Sequence, residues 1–177
     1  MMADRKYAFT WDLVGDLELG RPNLGNYTRV EVYRLMQYTL RDVIESKLGT
    51  EEADKIFYEA GKIAGMAFYE HFLTGTADVG DFAKKLQNVL KELKIGVLRI
   101  ESMTDSADKL TLTVDEDLDC SGLPETDYEV CVYDEGFIAG ILENFTGRQY
   151  LVKEIDCWCT GDRTCRFTAD VLPAKNN

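Results

Sequence analysis

Three cysteines and a glutamate in the C-terminal third have the chemistry that a tetrahedral metal site requires. Cys131, Glu154, Cys157 and Cys165 follow the spacing C-x22-E-x2-C-x7-C, and the last three lie in the run from Lys153 to Phe167 around a Thr-Gly-Asp turn. Zinc takes four ligands, commonly thiolates and less often a carboxylate. A glycine-centred turn folds two strands back so that residues distant in sequence face one point. Cys159 lies in the same run, so residue chemistry leaves the fourth ligand open between Glu154 and Cys159. Four protein ligands leave no position for water, and such a site staples a domain instead of running a reaction. The competing reading is a set of small buried side chains with no metal, because free cysteine is among the most buried residue types. A redox pair has less support, since no C-x-x-C occurs.

The elements that must position these residues follow from periodicity. Residues 1–28 are irregular, with a short strand expected within Tyr7–Leu19 and loops at Gly20, Pro22 and Gly25. From Thr28 the period is helical, with Thr28 and Glu31 as a capping box and Tyr33, Met36, Leu40, Val43, Ile44 and Leu48 on one face. Gly49 ends that helix and Thr50 begins the next. Gly61 and Gly65 share a face of the second helix, and glycine inside a helix costs about 1 kcal/mol relative to alanine. Their spacing points to close approach by another backbone, with room for a ligand as the alternative. A third helix is expected over Val79–Leu93 and strands over Val97–Met103 and Leu110–Val114. An acidic loop from Asp115 to Thr126 holds Cys120. A fourth helix is expected to start at or beside Asp127 and to carry Cys131 in its first turn, with Gly136 and Gly140 four apart. A hairpin, Gln149–Cys157 and Thr164–Val171, completes the pattern. The fold class is α+β: a helical bundle packed on a small antiparallel sheet, with a C-terminal β-hairpin that bears the zinc. The domain limits read as an N-terminal segment 1–27, a ligand-binding domain 28–172 and a tail 173–177.

The chain has 177 residues and a net charge of −12, from 20 basic and 32 acidic side chains. Nucleic-acid binding requires a basic stripe, which is not visible here, and an anionic membrane surface is disfavoured for the same reason. No run of about 20 apolar residues occurs, so no membrane span is expected. The N-terminus lacks the apolar stretch of a signal peptide, and a cytoplasmic location is expected. There thiols stay reduced, and five cysteines do not close a disulfide framework. His71 is the single histidine. With no partner set visible, it reads as a structural or exposed residue.

The stretch from Cys131 to Phe167 resembles the 4-vinyl-reductase, or hydrocarbon-binding, domain. The residues that carry the resemblance are Glu154-x-x-Cys157, Gly161-Asp162-x-x-Cys165-x-Phe167, the helix Asp134–Gly140 with its spaced glycines, and Glu59-Ala-Gly61 with Gly65. The resemblance implies a fold shared with ligand-binding modules of nitric-oxide signalling and with Golgi transport tethering subunits, and a homodimer. It also implies zinc on Cys131, Glu154, Cys157 and Cys165, with Cys159 as a neighbour. Family sensors hold phenol-like molecules with a histidine and a tryptophan; His71, Trp11 and Trp158 do not map onto those positions.

Three functions are consistent with these features. The leading one is non-catalytic binding or sensing of a small hydrophobic or aromatic molecule, in a pocket lined by Tyr33, Phe57, Phe68, Phe72, Leu112 and Phe137. Apolar burial at about 25 cal/mol per Å² is enough for useful affinity. The alternative is a tetrapyrrole (bacteriochlorophyll precursor) vinyl reductase accessory or carrier. A reductase itself is disfavoured, because the sequence has neither a dinucleotide fingerprint nor a second set of cluster cysteines. A structural adaptor is the third, by fold analogy alone.

Overall fold

A computed structural model describes residues 6–173. The expected tail, 173–177, lies outside them apart from Pro173. The chain divides into two compact units, residues 1–39 and 40–177.

In the first unit, Trp11–Val14 forms a 3-10 turn, and α1 (Leu17–Gly20) is a single helical turn. The strand expected within Tyr7–Leu19 does not form. Asp16 instead accepts a hydrogen bond from the Leu19 N–H at 2.9 Å and caps the turn. Helix α2 (Val30–Leu48) begins at Val30, and the Glu31 carboxylate is engaged by Arg29. The face expected to pack inward is open: Met36 is 63% exposed and Leu40 52%, and none of the helix's residues is buried.

The second unit begins within α2. Gly49 adopts a positive φ of 83° between α2 and α3 (Thr50–Phe68), the left-handed region that glycine enters without steric cost. A π-helical turn, Tyr69–Leu73, extends α3 and carries His71, whose exposed ring sits edge-on to Phe72. Helix α4 (Val79–Glu92) is capped by Asp78, which accepts from the Asp81 N–H at 2.8 Å. Its inward residues are Phe82, Leu86 and Leu90, at the helical period.

Strands β1 (Val97–Met103), β2 (Lys109–Asp115), β3 (Tyr150–Asp156) and β4 (Cys165–Val171) form one antiparallel sheet of order β1-β2-β4-β3. Alternation along each strand sends every second side chain to one face. Leu110, Leu112 and Val114 of β2, Cys165, Phe167 and Ala169 of β4, and Tyr150, Val152 and Glu154 of β3 are all buried. Glu154 is the polar member of an otherwise apolar inward series.

Helix α5 (Val132–Thr146) starts later than the sequence suggests, with Cys131 as its N-cap residue. The backbone from Asp127 to Val130 is non-helical, because Cys131 is held by its sulfur neighbours and its N–H donates to Glu154 Oε2 at 3.3 Å.

Helices α3 and α5 cross on their glycines. A Cβ on Gly61 would lie 2.0 Å from the Tyr133 carbonyl oxygen, and one on Gly65 2.1 Å from that of Phe137. Reciprocally, a Cβ on Gly136 would lie 2.0 Å from the Tyr58 carbonyl oxygen, and one on Gly140 2.2 Å from that of Lys62. The close approach expected from the glycine spacing is therefore between these two helices. The buried stripe of α3 is Ala53, Phe57, Gly61, Gly65 and Phe68, while Ile56 and Ile63 face outward. Phe82 of α4 stacks on Phe145 of α5 with centroids 3.9 Å apart and ring planes 5° from parallel.

Candidate functional site

Four sulfurs converge where α5, the β3–β4 turn and the loop after β2 meet. The Sγ atoms of Cys120, Cys131, Cys157 and Cys165 all lie within 4.8 Å of one another, and each residue is fully buried. Cys131 Sγ is 3.9 Å from Cys157 Sγ and 3.8 Å from Cys165 Sγ, and Cys120 Sγ is 3.0 Å from Cys165 Sγ. A zinc–sulfur bond of about 2.3 Å places the corners of a tetrahedral thiolate set about 3.8 Å apart. All are free thiols.

Local structure positions each sulfur. Cys120 sits in the loop that follows β2, where its N–H donates to Asp117 Oδ1 at 3.1 Å and the Asp119 N–H donates to the same oxygen at 2.8 Å. Cys131 is the N-cap of α5. Cys157 has left β3 and opens a 3-10 turn, Trp158–Thr160; its N–H donates to Thr160 Oγ1 at 3.2 Å and its carbonyl accepts from the Asp162 N–H at 3.2 Å. Cys165 opens β4 opposite Val114. Strand alternation therefore does not relate Cys157 to Cys159. Cys159 lies within the 3-10 turn, buried, its carbonyl accepting from the Thr126 N–H at 2.6 Å.

Glu154 flanks the four sulfurs. One of its carboxylate oxygens accepts from the Cys131 N–H, and the other, Oε1, is buried with no hydrogen-bond partner. Burial, then Cys165 and Cys157, push the carboxyl up to about 11. Beneath it, Glu135 accepts from the Glu154 N–H at 2.9 Å and pairs with Lys153 at 2.9 Å. Among the thiols, neighbouring sulfurs and burial push Cys131 up, while hydrogen bonds from Cys120, Cys131 and Cys165 pull Cys157 down. The protein alone thus favours a single thiolate, and only a cation would let all four ionise together. The donor set fits a thiophilic ion such as zinc.

Cys120 is not among the sequence-derived candidates. Its loop has no periodicity, and only the pairing of β2 with β4 brings it to Cys165. The available signal is the excess of cysteines over the expected ligand set.

Beside the sulfurs, a cavity of about 50 Å³ opens between α4, α5 and the β1–β2 face of the sheet. Of the residues expected to line a pocket, Leu112 and Phe137 face this space. Phe68 meets Phe137 edge-on at 5.1 Å and Phe72 at 4.9 Å, behind the cavity wall. Phe57 is buried beneath the Arg41 guanidinium, 5.4 Å from its ring centroid. Tyr33 belongs to the first unit. Two carboxyls interrupt the apolar wall: Asp117 and Asp134. Burial, then the charge of Asp119, push Asp117 up to about 7, and the same causes raise Asp134.

Residues 110–171 match the family model of the 4-vinyl-reductase domain, so the resemblance to this family holds over β2, α5 and the hairpin. A curated relative, uncharacterized protein MJ1642 of Methanocaldococcus jannaschii, is 26% identical over 155 residues, covering 87% of this chain and 84% of that protein. The fold is similar to that of the phenol-responsive sensory domain of the transcription activator PoxR, solved with phenol (TM-score 0.66, 15% identity, 81% of this chain and 75% of that one). It is also similar to a vinyl-4-reductase family protein of Methanocaldococcus jannaschii (TM-score 0.59, 14% identity, 84% and 85%). No helix among the described residues is long and apolar enough to cross a membrane.

Proposed function

We propose that this chain is a non-catalytic domain that binds or senses a small hydrophobic or aromatic molecule, and that structural zinc on Cys120, Cys131, Cys157 and Cys165 holds the binding wall in place. The observation that carries this reading is the apolar cavity lying directly beside four converging thiols. The PoxR sensory domain, which has a similar fold, was solved with phenol. Zinc with four thiolates has no open position, so its contribution is to fix the hairpin and the loop after β2 against α5.

This assignment replaces Glu154 with Cys120 in the ligand set drawn from the family resemblance. Glu154 then acts as a supporting group that orients Cys131 through its N–H.

The cavity volume of about 50 Å³ is smaller than the ~150 Å³ at which an engineered apolar cavity takes up benzene. An aromatic ligand therefore enters with displacement of wall side chains. Met103 and Ile138 line the space and are only partly buried, which leaves them room to move.

A homodimer accompanies this reading. Helix α2 carries Leu35 at 68%, Met36 at 63% and Leu40 at 52% exposure, an apolar stripe of the kind that self-association covers. Net charge of −12 supports the absence of direct nucleic-acid binding.

Native mass spectrometry of the purified protein, with solvent extraction of the same sample, tests the binding reading. A co-purifying apolar molecule, or saturable uptake of an added aromatic such as toluene, is the expected result. Protein that carries nothing and takes up no added aromatic would overturn it.

A further inference from the structure

The cavity wall is apolar except at one end. There Asp117 and Asp134 are the charged side chains among its lining residues, and no lysine, arginine or histidine joins them. A carboxylate oxygen of each lies within 4.8 Å of the other's. Asp134 Oδ2 is buried and makes no hydrogen bond. A buried acceptor without a donor is costly, and here the orphaned atom borders a space that a ligand can enter. Asp119 and Glu154 lie close by and are buried as well, so the local charge is uniformly acidic.

We propose that the ligand is a small apolar amine whose ammonium group sits between Asp117 and Asp134 while its hydrocarbon body fills the cavity. This inference rests on the binding reading above and names the chemistry of its ligand.

An ammonium nitrogen carries three donors. With hydrogen bonds of about 2.8 Å to each side, it spans two acceptor oxygens at the separation found here. A neutral hydroxyl would supply one donor and leave the excess negative charge uncompensated. A metal ion is the poorer occupant, because the third potential ligand, Cys131, has its sulfur among the four thiols.

The two carboxylates also connect the cavity to the sulfurs. Asp117 Oδ1 holds the N–H groups of Asp119 and Cys120, and Asp134 lies in the first turn of α5, whose N-cap is Cys131. An ammonium drawn to both acids therefore tightens the two segments that carry Cys120 and Cys131.

Isothermal titration of the full-length chain near pH 7.5 with benzylamine, benzyl alcohol and toluene tests the inference, because the three share a ring and differ in the polar group. Benzylamine is expected to bind at least tenfold more tightly than the other two, and Asp134→Asn to abolish that preference while circular dichroism stays unchanged. A crystal structure of the unaltered chain with benzylamine gives an answer independent of the variant's folding, with the nitrogen expected between the two carboxylates. Equal binding of all three compounds, or benzylamine seated with its nitrogen elsewhere, would overturn the amine assignment and leave the cavity reading intact. Binding of none of them would overturn both.

Discussion

Cys120 and Cys165 are 45 positions apart in the sequence, yet their sulfurs lie 3.0 Å from each other. The contact joins the loop after β2 to the start of β4, and it makes Cys120 a member of the thiol group at the expense of Glu154. Substitution distinguishes the two. Cys120→Ser is expected to drop bound zinc well below one equivalent. Glu154→Gln should keep one equivalent and weaken affinity by about 10- to 100-fold, the usual effect of losing a supporting contact. Plasma mass spectrometry reads the stoichiometry, and the cobalt(II)-substituted protein should display the absorption of an all-thiolate site. The reverse pattern would make Glu154 the ligand.

Removing the ion should destabilise the hairpin, because the free energy of metal binding at such sites is folding free energy. Treatment with a strong chelator is expected to lower the melting temperature by about 10 °C or more, since each kcal/mol moves it by about 2–4 °C in a chain of this size. Re-addition of zinc should restore it. An unchanged melting curve after verified metal loss would rule out the stapling role.

The α3–α5 crossing allows no side chain on its glycines. Gly61→Ala and Gly140→Ala each place a methyl about 2 Å from a backbone carbonyl oxygen, and backbone cannot step aside as a flexible side chain can. A loss of about 3 kcal/mol or more is expected in urea titrations. The exposed Gly20, with open space around its Cβ position, serves as a control and should change stability little.

Acid sensitivity has an identifiable contributor in Asp115. The Thr164 hydroxyl, at 2.7 Å, and the neighbouring Arg99 hold its carboxyl below the usual aspartate range. A depressed carboxylate contributes stability that is fully present above the unfolded-state value and is lost as pH falls through the folded one. Asp115→Asn should therefore flatten the stability profile below about pH 4 and leave the slope near neutrality unchanged, as followed by thermal melts across the acid range.

Self-association through α2 predicts that the pair Leu40→Glu and Val43→Glu yields a monomer by multi-angle light scattering. Both residues are exposed, so each substitution should cost the fold no more than about 0.5 kcal/mol. A monomeric unaltered protein would remove the dimer from the proposal.

Much of this architecture is legible in the sequence. Alternating apolar residues mark β1 and β2 within one residue of their ends, and paired glycines on two segments announce a tight helix crossing. Local patterns do not reveal long-range convergence. Cys120 reads as a loop residue because its loop has no period, and its partner arrives only through the β2–β4 pairing. The start of α5 differs from expectation for a related reason: helical character extends upstream of Cys131 in the sequence, but tertiary contacts to that residue delay the helix. The α2 face reads as core because amphipathicity reports that a stripe is to be covered without saying by what. Four of the six aromatic and aliphatic pocket candidates lie away from the cavity, since periodicity marks an inward face and does not tell packed interior from open space.

The order β1-β2-β4-β3 gives β4 an interior position although it is the last of the four strands to leave the ribosome. Until it inserts, β2 and β3 expose unpaired edges, and Cys165 is missing from the quartet. Nascent chains stalled before that point would be prone to edge-to-edge aggregation and unable to capture an ion with full tetrahedral coordination, so loading with metal becomes a late checkpoint on the quality of the finished polypeptide.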